Sequence, residues 1–253
     1  MRVTFLGTGT SQGVPVIGCD CVVCKSKNSK DVRLRSSVLI EVDGLKLVID
    51  SGPDFRQQML RENVRELDAI LLTHQHKDHI AGLDDIRAYN YFQKRPMDVY
   101  GDTRVLEAIK REFAYVFAEH RYPGIPDMKL NLLDNIIFKI NNTQITPILV
   151  KHKSLPVFAF RIQNFTYITD ANFIDPEEME KIKGSKVLVV NALRRKEHIS
   201  HYTLSEALEL INKLNPEKAY LTHISHQMGL YYELKKELPD KVEFAYDGLK
   251  LEL

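Results

Sequence analysis

Short apolar runs rich in Val, Ile, Leu and Phe alternate with segments of helical periodicity along the chain. In the first half, the runs typical of strands lie at residues 3–6, 37–42, 45–50 and 68–73. The Asp43-Gly44 pair between the second and third runs is a hairpin turn signal. Residues 54–65 and 103–119 instead place apolar side chains three and four positions apart, as one face of a helix does. The first half therefore predicts a sheet covered by helices.

The second half repeats this plan. Its strand-like runs lie at residues 144–150, 158–162, 165–169, 186–190 and 218–221, and its helical segments at 176–182 and 204–214. Two similar halves predict an α/β fold with four layers, an αββα sandwich. No linker rich in Pro, Gly or Ser separates the halves, so we expect a single domain over residues 1–253.

Composition limits the classes of partner. The 35 Lys and Arg residues balance 34 Asp and Glu residues, so no basic field favours nucleic acid. No window approaches the ~18 uninterrupted apolar residues of a membrane span, and the first residues lack the pattern of a signal peptide. These features predict a cytoplasmic protein that neither spans nor binds a membrane.

The segment that follows the strand-like run at 68–73 is crowded with metal-ligand types. His74, His76, Asp78 and His79 fall within six positions. Neutral imidazole and ionised carboxylate are ligands that zinc and similar divalent ions prefer, and such crowding without a metal costs solvation. The pattern therefore predicts a metal site at this strand end.

Single ionisable residues also follow three strand-like runs of the second half. They are His152, Asp170 and His223. A lone histidine is more often an ordinary polar side chain than a ligand. Their shared position at strand ends, where open sheets usually place ligands, favours a common site with the first cluster.

The residues Thr73-His74-Gln75-His76-Lys77-Asp78-His79 resemble the H-x-H-x-D-H signature of the metallo-β-lactamase superfamily, and Asp50 matches its upstream structural aspartate. The resemblance implies the metallo-β-lactamase form of the αββα sandwich and two divalent ions, zinc or manganese. In members that cleave phosphodiesters, the matching residues imply one ion held by His74, His76 and His152, the other by Asp78, His79 and His223, and Asp170 as the bridge. Many lactamases carry cysteine at the bridging position, so Asp170 argues against lactam hydrolysis.

All three cysteines lie in the spacing C-x-C-x2-C at Cys19, Cys21 and Cys24, which in a reducing compartment indicates a metal rather than a disulfide. Together with the stretch at residues 7–15 and the late segment 221–227, they resemble the phosphoribosyl cyclic phosphodiesterases of phosphonate degradation. That resemblance implies a structural zinc completed by His226. The stretch reads G-x-G-x-x-x-G and opens no helix, so it predicts a tight turn and not a dinucleotide site.

The resemblance implies an enzyme, a metal-dependent phosphodiesterase acting on a small substrate such as a cyclic ribose phosphodiester. It implies His201 as the proton donor, with His198 as the alternative, and it counts Asp78 among the catalytic residues as well as the ligands. Two other functions remain open, a transfer-RNA 3′-processing nuclease and a non-catalytic metal-bearing accessory protein of cofactor biosynthesis. The resemblance also implies a homodimer, while the physiological substrate stays open.

Aromatic residues are dense at 88–93 and 111–126, more than the resemblance leads us to expect. They would either stack on a base or sugar or pack a helix against the sheet, and helix packing is favoured. His120, within the second stretch, is expected at the surface or in a lid.

Overall fold

The computed structural model describes residues 1–120 and 122–253. Its contacts divide the chain into two compact units. The first unit comprises Met1–Leu6, Ser37–Asp134 and Lys250–Leu253, and the second comprises Gly7–Ser36 and Asn135–Leu249. Each contains one sheet. The single-domain organisation stays a prediction.

The first unit contains a seven-stranded sheet in the order β15-β1-β2-β3-β4-β5-β6. Its strands are β1 (Arg2–Gly7), β2 (Ser37–Val42), β3 (Leu45–Ile49), β4 (Ala69–Leu71), β5 (Met97–Gly101), β6 (Met128–Leu132) and β15 (Lys250–Glu252). The strands β2 and β3 form the predicted hairpin, and its turn residues Asp43 and Gly44 both have positive φ, 50° and 80°. From β3 to β6 the strands run parallel, which brings their carboxyl ends to one edge.

Four α-helices accompany this sheet: α1 (Phe55–Arg61), α2 (Lys77–Ile80), α3 (Arg87–Gln93) and α4 (Thr103–Glu112). Short 3-10 helices lie at Leu83–Ile86 and Ala114–Phe117. The side chain of Asp102 caps α4 by accepting a bond from the Val105 backbone N at 2.9 Å. The helix predicted over 103–119 therefore ends earlier and continues as a separate 3-10 turn, although Ile109, Phe113 and Val116 all join the core as the periodicity predicts.

The aromatic stretches divide between core and surface. Tyr89 of α3 is buried and donates its hydroxyl to the Val64 carbonyl, and Phe113 is buried as well. Tyr91 and Phe92 are instead 67% and 76% exposed. The favoured packing of aromatic side chains in the core is thus confirmed for Tyr89 and Phe113 and not for Tyr91 and Phe92. Exposed positions also include His120, and its neighbour at 121 lies outside the described residues.

The second unit contains an eight-stranded sheet, in which β11-β8-β9-β10-β12-β13-β14 follow one another and β7 pairs with β8. Its strands are β7 (Phe138–Ile140), β8 (Thr143–His152), β9 (Leu155–Ile162), β10 (Phe165–Tyr167), β11 (Phe173–Ile174), β12 (Val187–Asn191), β13 (Lys218–Thr222) and β14 (Val242–Phe244). The antiparallel β8–β9 pair runs to its last register at His152 and Leu155. The strands β10, β12, β13 and β14 are parallel, so the loops that follow them share one edge.

The helices of this unit are α5 (Pro176–Ile182), α6 (Leu204–Leu214) and α7 (Tyr231–Leu234), with a 3-10 helix at Ser29–Asp31. The helices α5 and α6 have the predicted bounds. A capping box starts α6, because the Thr203 hydroxyl bonds the Glu206 backbone N and the Glu206 carboxylate accepts from the Thr203 backbone N. This cap fixes where the loop between β12 and α6 ends. Within the described part of the chain, no helix combines the length and apolarity that crossing a membrane requires.

Candidate metal centre

The motif that follows β4 gathers the four predicted ligand residues of the first unit. The His74 Nε2 and His76 Nδ1 atoms are 2.9 Å apart, and the Asp78 Oδ2 atom lies 3.1 Å from His79 Nε2. The rings of His74 and His79 are centred 4.2 Å apart, and both side chains are buried. Such close approach of imidazoles to one another and to a carboxylate is the arrangement of a ligand set.

Asp50 supports this set from the end of β3. Its carboxylate accepts bonds from the Thr73 backbone N at 2.9 Å and from the Thr73 hydroxyl, and it lies 2.7 Å from His79 Nδ1. Complete burial raises the pKa of the Asp50 carboxyl, and the bonds from His79 and Thr73 oppose that shift. Because the ring of His79 presents Nδ1 to Asp50, its Nε2 lies on the side of Asp78, 3.1 Å from Oδ2. Asp50 therefore contacts and orients His79, as expected of the structural aspartate that the resemblance implies.

Gly82 lets the chain after the histidine motif pack closely against Gly52 and Phe55, and it was not predicted from the sequence as part of the site. Its backbone N donates to the Ser51 carbonyl at 2.8 Å, and the Ser51 N donates to the His79 carbonyl at 2.8 Å. A Cβ at position 82 would lie 2.1 Å from the Gly52 oxygen and 2.6 Å from Phe55 Cβ. Only glycine permits this approach. The residue could have been found as a lone glycine directly after a ligand motif.

In the second unit, the residues predicted at strand ends also lie together. The His152 Nδ1 atom donates to the Ser200 carbonyl at 2.7 Å, which fixes the orientation of the ring. The His223 Nδ1 atom lies 3.0 Å from Asp170 Oδ1, and the Thr10 hydroxyl lies 3.2 Å from His223 Nε2. Asp170 and His223 are almost fully buried. Buried carboxylate and imidazole with fixed partners are groups that could hold a metal ion.

His201 completes this group. Its ring is centred 4.5 Å from that of His152 and stacks on that of His223 at 4.9 Å. Ligand atoms of His201, His152 and Asp170 lie within 4.8 Å of one another. Burial, with the neighbouring His223, lowers the pKa of His201 to about 3, and no described group bonds its Nδ1. The ring is therefore neutral at physiological pH.

His198 lies beside His201, with ring centres 5.1 Å apart. Its Nδ1 is 3.4 Å from the Ser200 backbone N, which donates to it, so the proton resides on Nε2. Burial lowers the pKa of His198, and the charge of Arg194 lowers it further. Both histidines are thus near the ligands, and His201 is the more enclosed of the two.

The cysteine cluster is separate from these ligands and lies within the second unit. The sulfur atoms of Cys19, Cys21 and Cys24 lie 3.2, 3.4 and 3.5 Å from His226 Nδ1. Zn–S and Zn–N bonds of about 2.3 and 2.0 Å at a tetrahedral angle place sulfur about 3.5 Å from nitrogen, so the donor set fits zinc.

Backbone groups favour thiolate at two of these sulfurs. The Cys24 backbone N donates to the Cys21 sulfur at 3.4 Å, and this bond is the main cause that lowers the pKa of Cys21 to about 6. The Val16 backbone N donates to the Cys24 sulfur at 3.3 Å, although burial raises the pKa of Cys24 to about 11. A bound cation would favour the thiolate at both sulfurs, and at Cys24 it would displace the proton.

Comparison with known proteins agrees with this geometry. Residues 46–224 match the model of the beta-lactamase superfamily domain. An octanoyltransferase of Porphyromonas gingivalis is 40% identical over 99% of this chain, and the match covers 51% of that protein. The chain therefore spans about half the length of this curated relative.

Two solved structures extend the comparison. A crystal structure of a diphosphatase from the PhnP family has a TM-score of 0.93 and 36% identity, covering 100% of this chain and 97% of that one. Zinc-bound PqqB from Methylobacterium extorquens has a TM-score of 0.78 with full coverage of both chains. Its identity is 19%, so this second likeness is one of fold alone.

Proposed function

Because the chain belongs to the beta-lactamase superfamily, as its histidine motif predicts, we propose that it is a metal-dependent hydrolase of small phosphodiesters. One observation carries the proposal. In each unit, a ligand histidine donates its Nδ1 proton to a fixed oxygen: His79 to Asp50 and His152 to Ser200. Such partners orient imidazole for metal binding and have no other evident use in the two loops.

The proposed ligands are those that the motif implies. One ion would be held by His74, His76 and His152, the other by Asp78, His79 and His223, and Asp170 would bridge them. Zinc or manganese suits this set of imidazoles and carboxylates. Bound there, the two ions would lower the pKa of a water molecule and stabilise the charge on the phosphoryl oxygens. A further zinc would occupy Cys19, Cys21, Cys24 and His226 and hold that loop.

His201 is the proposed proton donor to the leaving oxygen. The ring is neutral in the ligand-free protein because it is buried and faces His223. The carboxylate of Asp170 and the negative charge of a bound phosphodiester oppose that lowering of the pKa, whereas the positive charge of bound metal ions would add to it. His201 would then release its proton to the departing oxygen and become neutral again, its resting state.

The proximity of His201 to His152 and Asp170 gives a competing role, that of a third ligand. The variant His201→Gln separates the two roles. A proton donor predicts lower kcat with unchanged metal stoichiometry, because Gln keeps the polarity and approximate size. Loss of about one active-site ion per chain, measured by mass spectrometry of the metal content, would instead assign His201 as a ligand.

The substrate proposed is small, for example a cyclic ribose phosphodiester. The net charge of +1 offers little for the phosphate contacts of RNA binding. The similar diphosphatase supports phosphate chemistry. The octanoyltransferase relative is twice as long as the matched region, so acyl transfer is not assigned to this chain.

The test is hydrolysis by protein loaded with zinc or manganese. Bis-p-nitrophenyl phosphate, ribose 1,2-cyclic phosphate, a dinucleoside diphosphate and a transfer-RNA precursor would be compared by kcat/KM. We expect turnover of the small esters and none of the precursor. Turnover of the precursor alone would support the nuclease, and turnover of no phosphodiester would support the accessory protein.

The variant Asp170→Ala is expected to abolish turnover and to lose active-site metal while keeping one zinc. Its matched control is Asp175→Ala, since Asp175 lies five residues later and pairs with Lys151 in a half-exposed salt bridge of 3.0 Å. Full activity of Asp170→Ala with both active-site ions bound would contradict the ligand assignment.

A further inference from the structure

The segment that carries His226 is attached to the loop between β12 and α6 on both sides of that histidine. On one side, the Ser225 backbone N donates to the Leu193 carbonyl at 3.0 Å. On the other, the Gln227 Oε1 atom accepts a bond from the Arg194 guanidinium at 2.9 Å. A ligand of the cysteine cluster is thus flanked by two attachments to one loop.

Arg194 also braces that loop internally. Its Nε donates to the Lys196 carbonyl at 3.2 Å, and its second terminal nitrogen donates to the Glu197 carbonyl at 2.8 Å. Backbone hydrogen bonds join the two ends of the loop, from Leu204 N to the Arg194 carbonyl at 3.0 Å and from Leu193 N to the Tyr202 carbonyl. The planar guanidinium therefore joins three points that a lysine, with one nitrogen, would not hold together.

The far end of the loop holds His152. The Ser200 carbonyl accepts the His152 Nδ1 proton at 2.7 Å, and the Ile199 carbonyl accepts from the Asn172 side chain at 3.3 Å. The position of Ser200 fixes the ring of His152, and losing such a partner typically costs about 10- to 100-fold in metal affinity. The loop thus connects the neighbours of His226 with the orienting acceptor of His152.

We propose that Arg194 and Gln227 are positioning residues that couple the two metal sites of the second unit. Zinc at the cysteine cluster fixes His226, the Arg194–Gln227 bond transmits that order to the loop, and Ser200 then holds His152 for its ion. Filling the cysteine cluster therefore tightens metal binding at His152. Binding at the His152 site must tighten zinc binding to the same degree, because linkage is reciprocal. The inference rests on the metal sites of the proposed function.

The expected coupling is moderate. Gln227 is exposed, so water competes for the Arg194 bond, while the Ser225 bond remains when Gln227 is changed. We expect zinc to tighten the second site about three- to tenfold in the wild type, and loss of the Gln227 side chain to remove about half of that effect on a logarithmic scale.

The experiment measures Mn²⁺ binding by electron paramagnetic resonance, with and without one equivalent of zinc. Thiolates select zinc over manganese, so the single equivalent of zinc fills the cysteine cluster and Mn²⁺ then titrates the imidazole and carboxylate site. Cys21→Ser provides a second zinc-free state. Gln227→Ala removes the acceptor and should reduce the zinc effect, Gln227→Glu keeps an acceptor and should retain it. Arg195→Ala, which breaks an exposed salt bridge with Glu237, is the matched control and should also retain the zinc effect.

The outcome is decided by the ratio of the Mn²⁺ affinities with and without zinc, and not by activity. An unchanged Mn²⁺ affinity on adding zinc to folded wild-type protein would overturn the coupling, as would an equal zinc effect in Gln227→Ala and wild type. Should Cys21→Ser fail to fold, the comparison of Gln227→Ala with Arg195→Ala in zinc-loaded protein still decides. Coupled metal binding without phosphodiester hydrolysis would contradict the proposed function alone.

Discussion

His201 should make the metal-free protein lose stability as the pH falls from 7 to 5. Its side chain is 8% exposed, and burial with the neighbouring His223 lowers its pKa to about 3 in the folded protein. The ordinary pKa of histidine, which applies in the unfolded chain, is about 6.5. Above pH 6.5 the ring is neutral in both states and contributes nothing to the pH dependence. Between pH 6.5 and 3 only the unfolded chain binds the proton, so the folded state is progressively disfavoured.

The magnitude follows from the interval that the titration covers. Each pH unit in which one state holds one proton more than the other changes the free energy of unfolding by about 1.4 kcal/mol. From pH 6.5 to 5 this amounts to about 2 kcal/mol for His201. Since the group is buried, no reduction for solvent screening applies.

The assay is urea unfolding of metal-free protein at pH 7 and pH 5, for the wild type and His201→Gln. The variant removes the titrating group, so its loss of stability over this interval should be smaller than that of the wild type by about 2 kcal/mol. His120→Gln, at an exposed position, is the control and should follow the wild type. Equal losses for the wild type and His201→Gln would refute the reasoning, because His201 would then be free to accept a proton in the folded state.

Two further predictions concern stability. In urea unfolding, Gly82→Ala should lower the free energy of unfolding by about 3 kcal/mol, because the new Cβ would lie 2.1 Å from the Gly52 oxygen. Its control is Gly44→Ala, where φ is positive but no atom lies within 4 Å of the new Cβ. That variant should cost only about 1 kcal/mol. Arg33→Met should cost about 3 kcal/mol in the same assay, because it removes the buried donor to the Thr8 hydroxyl at 2.8 Å and to the Ala245 carbonyl at 2.6 Å, together with the positive charge near Asp31 and Asp247. A change below about 1 kcal/mol would show that water replaces these bonds.

The long periodic elements were predictable from the sequence because burial imposes a pattern on them. The strand β2 and the helices α5 and α6 have the predicted bounds, and Asp43-Gly44 forms the predicted turn. The strands β5 and β6 were missed. In Met128–Leu132 the side chains of Lys129 and Leu132 are exposed, so the run carries no clear apolar face. Pairing with a neighbouring strand forms such an element, and local sequence does not encode that pairing.

The proposed ligand residues were chosen from chemical type and position, and their ligand roles stay a prediction; the groups that support them were not predictable. The carbonyl of Ser200, which orients His152, is a backbone group that any residue supplies. In the sequence, Arg194 is one of several positive residues in a basic run. The fold then brings Gln227 within hydrogen-bond distance of it. The environment of His201 was also hidden, because burial and the approach of a second ring set its protonation state. These features depend on contacts between residues far apart in the chain.

Backbone conformation explains one further gap between the sequence and the site. Asp50, Asp170 and His223 each follow a strand, and all three have positive φ, of 63°, 53° and 56°. For a residue with a side chain this region costs about 1–2 kcal/mol, so the usual sequence signal for it is glycine. Glycine at these positions would relieve the strain. It would also remove the carboxylate that accepts from His79 and the contact between Asp170 and His223 at 3.0 Å. The chain therefore carries residues that local propensity disfavours at these strand ends, and the bonds of their side chains hold the strained turns in place.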